Sequence, residues 1–195
     1  MNSEAASGAD KGADARADMS VGVWPDLPDR FPAGDYELQL IDGSDPQFVA
    51  AVEATVAPEE RAETFHYFTR LPLPLGPFIA ADATRRVYAL VGEDGSPVGC
   101  TSLYDCEEAR RRVTLGFTWI SPNRRGSGAN AALKRGMFDA LSAAGVREVW
   151  FRADVLNAAS RRSLEKAGAQ FSHIEAAPRV YPDRVSASVY YLKRL

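Results

Sequence analysis

The chain has 195 residues, of which 46% are hydrophobic, 25% charged and 10% aromatic, with a formal net charge of −3 at neutral pH. That length suits one domain with a substantial core, and the composition excludes a collagen-like, wholly disordered or coiled-coil chain. No apolar run approaches the ~20 residues of a membrane span, no secretory leader is expected, and without a basic excess neither nucleic acid nor membrane is the expected partner.

Residues 1–20 are mostly Ala, Gly, Ser and Asp. Such a segment cannot offset its ordering entropy and is expected to be a disordered tail. Residues 21–34, with Pro25, Pro28 and Pro32, read as an extended lead-in that lays Trp24 on the domain, which is expected to occupy 35–195. Alternating polarity predicts a strand over 36–41. Asp45-Pro46 is a helix start, and the stretch to Phe68 reads as helical with an interruption at Pro58. Residues 71–77 (LPLPLGP) read as a rigid loop. Strands over 87–91 and 97–104 flank the hairpin turn GEDGS. Cys100 falls in the second and is expected to fill core. With Cys106 as the only other cysteine there is no disulfide framework and no zinc spacing. No metal is expected, and a reducing, cytoplasmic setting fits.

Residues 112–120 predict a strand with Val113, Leu115, Phe117 and Trp119 on one face. A helix over 129–144 follows, stopped by Gly145, with Leu133, Met137 and Leu141 as its buried stripe. A strand over 146–153 leads to a helix over 157–167, capped by Asn157 and stopped by Gly168. Strands over 170–174 and 186–192 close the chain. The strand–helix–strand–helix–strand order at 112–174 implies a parallel crossover among antiparallel strands. The fold class is therefore α/β, a mixed sheet carrying helices.

The chemistry lies in Ser121-Pro122-Asn123-Arg124-Arg125-Gly126-Ser127-Gly128-Ala129-Asn130, between a strand end and an amphipathic helix. Its glycines allow successive N–H groups to converge, and the helix start adds unpaired amides and partial positive charge. With Arg124 and Arg125 beside it, the segment reads either as a diphosphate cradle or as an Arg/Gly turn that caps a helix. A Walker A loop is excluded because Gly-Lys-Ser/Thr is missing. A dinucleotide fingerprint is disfavoured, because Ala131 stands where its third glycine would be and Asp154 is only a loose match for its acid.

Arg125-Gly126-Ser127-Gly128-Ala129 resembles the pyrophosphate loop of the GNAT superfamily of acyl-CoA-dependent N-acyltransferases. The flanking GFTWISP and ALKRGMFDAL, and FRADVLNAASRRSLEKAGAQF downstream, extend the likeness over about residues 86–192. Asn130 in place of the common final Gly or Ala is similar to the RimJ/RimL-like branch, which includes enzymes that acetylate protein N-terminal amines. The resemblance implies a mostly antiparallel GNAT-like sheet with helices on both faces and one splayed parallel strand pair. It implies acetyl-CoA as cosubstrate, its pantetheine amides pairing with the backbone of Phe117, Thr118, Trp119 and Ile120. The diphosphate would lie on Arg124, Arg125, Gly126, Ser127, Gly128, Ala129 and Asn130, with Asn157 bonding the pantetheine arm.

An N–H near Trp119 or Ile120 is the expected oxyanion contact. Ser160 aligns with a serine of the related branch and is the candidate proton donor to the leaving thiolate, with Tyr190 and Tyr191 as rivals. Relatives often place a Glu where this chain has Thr114, so the base is unassigned, with Glu107, Glu108, His66 and His173 as weak candidates. If only water relays the proton, deprotonating an α-amine at pH 7 costs about 1.4 kcal/mol against about 4.6 for lysine, which favours α-amines. Acceptor contacts are expected from His66, Phe68 and Arg70 within 64–78 and from 175–185. The Arg110-Arg111-Arg112 run is either a solvated turn or a contact to the 3′-phosphate or an acidic acceptor. The leading function is acetyl transfer to a primary amine, such as a peptide or protein N-terminus. The alternatives are small-molecule N-acylation (antibiotic, polyamine or amino acid) and a non-catalytic CoA-binding sensor. The oligomeric state stays open, a homodimer included.

Overall fold

The computed structural model describes residues 24–82 and 84–195, so the tail expected over 1–20 lies outside the described residues. Strands β1 (Arg30–Ala33), β2 (Tyr36–Leu40), β3 (Arg86–Val91), β4 (Pro97–Glu107), β5 (Arg112–Ile120), β6 (Glu148–Asp154), β7 (Gln170–Val180) and β8 (Val185–Arg194) form one sheet. Their spatial order is β1-β2-β3-β4-β5-β6-β8-β7. All neighbours pair antiparallel except β5 and β6. The crossover from β6 to β7 skips one position, and the last strand, β8, fills it. The expected mixed sheet with one parallel pair is what forms.

Helices α1 (Pro46–Glu53), α2 (Arg61–Thr64), α3 (Leu75–Ala80), α4 (Ala129–Ala143) and α5 (Ala158–Lys166) cover both faces. Asp45 starts α1 by accepting from the amides of Gln47 and Phe48, as its N-cap position predicts. The interruption at Pro58 is real, a 3-10 turn separating α1 from α2. The rigid loop expected over 71–77 is shorter than read: Pro74 sits at the N-cap and helix α3 starts at Leu75. Proline is tolerated in a first helical turn, where its missing N–H has no acceptor to lose. Among the described residues no helix is long and apolar enough to cross a membrane.

Two cores lie on opposite sides of the sheet. Leu133, Met137 and Leu141 of α4 pack with Leu38, Leu90, Val113 and Val149. Val52, Phe65, Leu75 and Phe78 pack with Val87, Cys100 and Trp119. Cys100 is fully buried there, as expected. Helix α4 comes very close to β1 at Gly136, where an added Cβ would stand 2.7 Å from the Pro32 carbonyl oxygen. Gly136→Ala would gain ~1 kcal/mol of helix propensity. The clash is with backbone that cannot step aside, so a net loss of ~1–2 kcal/mol in urea unfolding is expected.

The face assignment along β5 needs one correction. Val113 and Leu115 join the α4 core as expected, but Phe117 and Trp119 face the other core and Ile120 takes their side. The register explains it: Cys100 pairs with Trp119 and Ser102 with Gly116, so Phe117 and Thr118 together oppose Thr101. Phe117 has φ = 50°. This β-bulge shifts the period by one residue and bends the strand.

Candidate active site

Three residues before the bulge the sheet comes apart. Strands β5 and β6 pair only at Arg112–Glu148, Val113–Val149 and Thr114–Trp150. Past Thr114 the β6-facing edge of β5 has no strand partner, so its N–H and C=O groups are open to an extended ligand. The gap continues into a cleft of ≈ 1240 Å³ that reaches from the glycine loop to the α2–α3 segment. That exceeds the ~300–1,000 Å³ of an ordinary small-molecule site and suits a long, thin ligand. The left-handed backbone at Phe117 is held by ring contacts with Phe68, Phe78 and Tyr104.

At the far end of β5, Ser121 begins the loop, and Arg124 N–H donates to its carbonyl. Gly126 and Gly128 have φ of 80° and 89°, and a Cβ on either would meet nothing within 4 Å. The cradle is thus built from left-handed backbone around empty space. Gly128 is the N-cap of α4 and gives no side-chain cap; Ala129 N–H donates to Ser127 Oγ at 3.4 Å, and the next first-turn amides, of Asn130 and Ala131, have no partner within the helix. Ser127 turns its hydroxyl inward, donating to the Arg124 carbonyl. Arg124 lines the cleft freely, whereas Arg125 reaches across its mouth to Thr64 and Glu63 of α2.

Asn157 lines the cleft and also caps α5, its Oδ1 accepting from Ser160 N–H at 3.0 Å. Ser160 lies one turn along the same wall. Tyr190 stands on the opposite wall, stacked on His173 at 4.6 Å, and burial pushes its phenol above the ordinary range. Tyr191 is turned away: it is 1% exposed and donates to Glu165 behind α5, which removes it as a proton donor to this cleft. Phe68 and Arg70 line the cleft at the end beside α2 and α3, while His66 is exposed outside the wall, its ring against Tyr67. The Arg110–Arg112 run is at the start of β5, a strand length of ~30 Å from the loop. Arg110 and Arg112 pair there with Glu107, so the run is a solvated turn and no 3′-phosphate contact.

The segments 64–78 and 175–185 meet over the cleft. The Arg179 guanidinium donates to the Tyr67 carbonyl, and Arg184 to the His66 carbonyl. Behind them Asp154 accepts from Tyr181, Ser186 and the Leu156 amide, with Arg179 3.8 Å away. Burial works against this carboxylate, but the hydrogen bonds and the Arg179 charge outweigh it and hold it below its usual range. Asp154 is therefore a fixed anion that ties down the roof.

Two groups escape the sequence reading. Lys134, 5% exposed, lies between α4 and α5 on the cleft wall, donating to Asn130 Oδ1 and to Ser163 Oγ. It has no carboxylate partner among the described residues, and burial lowers its ammonium to about 8. The legible signal was a lysine beside Leu133 inside an apolar helix stripe. Asp105 also lines the cleft, with φ = 49°. Nothing local in LYDCEE distinguishes it from its acidic neighbours.

A sheet opened between two parallel strands, with a glycine-built anion cradle at one end and titratable groups at the other, defines an acyl-transferring enzyme of the N-acetyltransferase type. The chain belongs to the GNAT acetyltransferases: the family described as Acetyltransferase (GNAT) domain matches residues 32–170. No curated protein sequence matches it significantly. Among solved structures, the Salmonella typhimurium acetyl transferase that modifies the N-terminal serine of ribosomal protein L7/L12 superposes with a TM-score of 0.73. It is 13% identical and covers 85% of this chain and 99% of its own. RimL, a ribosomal L7/L12 α-N-protein acetyltransferase, gives 0.72 at 12% identity, covering 85% and 94%. The Vibrio cholerae spermidine N-acetyltransferase, bound to CoA and spermine, gives 0.66 at 12% identity, covering 82% and 95%.

Proposed function

We propose that the protein transfers the acetyl group of acetyl-CoA to a primary amine in a ternary complex, with a peptide or protein N-terminal α-amine as acceptor. The observation that carries the transfer is the β5–β6 pairing that stops after three residues and opens onto the glycine cradle. Main-chain amides of residues 126–130 hold the diphosphate, with Arg124 beside them. The free β5 edge over 117–120 holds the pantetheine arm, and Asn157 bonds it from α5. In this reading the thioester carbonyl lies near the bulge, where an N–H of Trp119 or Ile120 stabilises the developing oxyanion. The Ser160 hydroxyl supplies the proton to the departing sulfur, and Tyr190, kept protonated by burial, is the second donor.

The charge at the acceptor end supports an N-terminal acceptor over a polyamine. Asp82 and Asp105 are there, but so are Arg70, Arg85, Arg152 and Arg179. Asp154 is there too, and Arg85, Arg152 and Arg179 pair with Asp82, Glu175 and Asp154, so the wall lacks the acidic excess a polycation needs and suits a single amine on a neutral backbone. The Salmonella neighbour's acceptor, an N-terminal serine, fits the same reading. Free thiols at Cys100 and Cys106 fit a reducing, cytoplasmic setting. The test is thiol release from acetyl-CoA against peptides and small amines, with mass spectrometry of the products. Acetylated peptide α-amines are expected; preferential acetylation of spermidine would overturn the acceptor.

Ser160→Ala is expected to lower kcat ~10-fold or more while leaving acetyl-CoA affinity unchanged. The helix cap survives this change because Asn157 bonds the Ser160 amide and not its hydroxyl. Comparing steady-state rates with calorimetric affinity checks it.

A further inference from the structure

Deprotonation of the incoming amine has no assigned residue, and the cleft offers few. Asp154 is fixed by three hydrogen-bond donors and the Arg179 charge, Tyr104 is pushed up to about 12 by burial, and Lys134 lies at the cradle end. Asp82 accepts from Thr84 and pairs with Arg85, and these bonds hold it low.

Asp105 differs from each of them. It follows Tyr104, which pairs with Thr114, the last residue of β5 to touch β6. The register of β4 against β5 breaks between Tyr104 and Glu107, and the left-handed backbone of Asp105 sits in that break, on the cleft wall. The carboxylate is thus level with the inner end of the splay, ~10 Å along β5 from the bulge beside which the thioester is placed. No hydrogen bond or ion pair ties it down among the described residues. The groups facing it are Asp82 and Arg85 from the α3–β3 connection, Glu107 on its own strand, Arg112 on β5, Tyr104, and Tyr190 on β8. Partial burial, then the Asp82 charge, raise its carboxyl above the usual range. A raised, untethered carboxylate is better matched to taking a proton near neutrality than a bonded one.

We propose that Asp105 is the general base of the transfer, an inference that rests on the function proposed above. The acceptor ammonium gives one N–H proton to the Asp105 carboxylate through bridging water, and Asp105 releases it to solvent. The nitrogen lone pair forms the N–C bond at the thioester carbonyl, and the C–S bond breaks with its electron pair on sulfur. The second N–H proton passes to that sulfur through Ser160. One ammonium and one acetyl-CoA thereby give one amide, one thiol and one released proton. With a base present, the α-amine preference argued from water-only relay loses its force, and acceptor choice rests on the charge of the cleft walls.

The test measures thiol release with acetyl-CoA and a Ser-N-terminal hexapeptide or spermidine, across pH 5–9, for wild type, D105N, D105E and D82N. Asn tolerates left-handed backbone, so D105N keeps the kink. The expected result is a fall in kcat of about 100-fold for D105N, with loss of the acidic limb of the pH profile. Its acetyl-CoA affinity and melting temperature stay at the wild-type values. D105E retains the limb. D82N moves the limb to lower pH, because removing a like charge favours the ionised carboxylate. A D105N enzyme with wild-type rate and limb overturns the base alone. A wild-type chain that binds acetyl-CoA yet releases no thiol with either amine overturns the transfer reading, and the base with it.

Discussion

Gly128→Glu is expected to raise the dissociation constant for acetyl-CoA about 100-fold or more. Gly128 has φ = 89°, so any L-residue there is strained by ~1–2 kcal/mol. That strain alone leaves the fold standing, because a Cβ at Gly128 meets nothing within 4 Å. The side chain extends into the cradle instead. Its carboxylate would sit on the outward amides of α4, gaining ~0.3–1 kcal/mol from the helix end and occupying the donors meant for the diphosphate. Steric block and like-charge repulsion then add, and a loss of ~3 kcal/mol corresponds to about 100-fold in affinity. Calorimetry with CoA is the measurement, and Gly128→Ala, which adds no charge and little bulk, is the control. Unchanged affinity in the Glu variant would remove the cradle from the account.

Lys134→Met is expected to weaken acetyl-CoA binding ~10-fold while leaving the free protein as stable as wild type, or more so, at pH 7. A buried ammonium without a counter-charge costs the free protein stability, and an apolar replacement of similar length removes that cost. The sign follows from the lowered value. Between about 8 and 10.5 the unfolded chain binds more protons at Lys134 than the folded one. Stability of the free enzyme therefore rises across that window and the penalty is complete below it, worth roughly 3 kcal/mol. Loss of that upward slope in Lys134→Met, followed by urea titration at pH 7, 8, 9 and 10, checks it. A phosphate placed nearby would restore the proton, so binding at pH 8 should take up about half a proton per site. Calorimetry in two buffers of different ionisation enthalpy reads that uptake, and its absence would place the phosphates away from Lys134.

The order of elements was legible because each carries its own pattern. Leu133, Met137 and Leu141 mark one face of α4, Asp45 and Asn157 cap helices with their own side chains, and GEDGS turns a hairpin. The Gly126–Gly128 cradle was equally legible, since left-handed backbone at a helix start is a local demand met by local residues. The face of Phe117 was not. Period-2 alternation assumes one residue opposite one, and whether Phe117 and Thr118 both oppose Thr101 depends on the pairing of strands fifteen or more residues apart. The rival pair Tyr190 and Tyr191 shows the same limit: adjacent tyrosines face opposite sides of β8, and only the position of α5 decides which is enclosed.

By itself the sequence determined the class of sheet, the left-handed glycine turn ahead of α4 and the Asn157 cap of α5, all properties of short stretches of chain. Only the tertiary structure decided where the sheet opens, that Arg110–Arg112 lies a strand away from the cradle, and that Asp105 and Lys134 belong to the cleft. Those facts concern which groups lose water and which charges come near each other. Desolvation and Coulomb interaction depend on distance in space, and separation along the chain does not encode it.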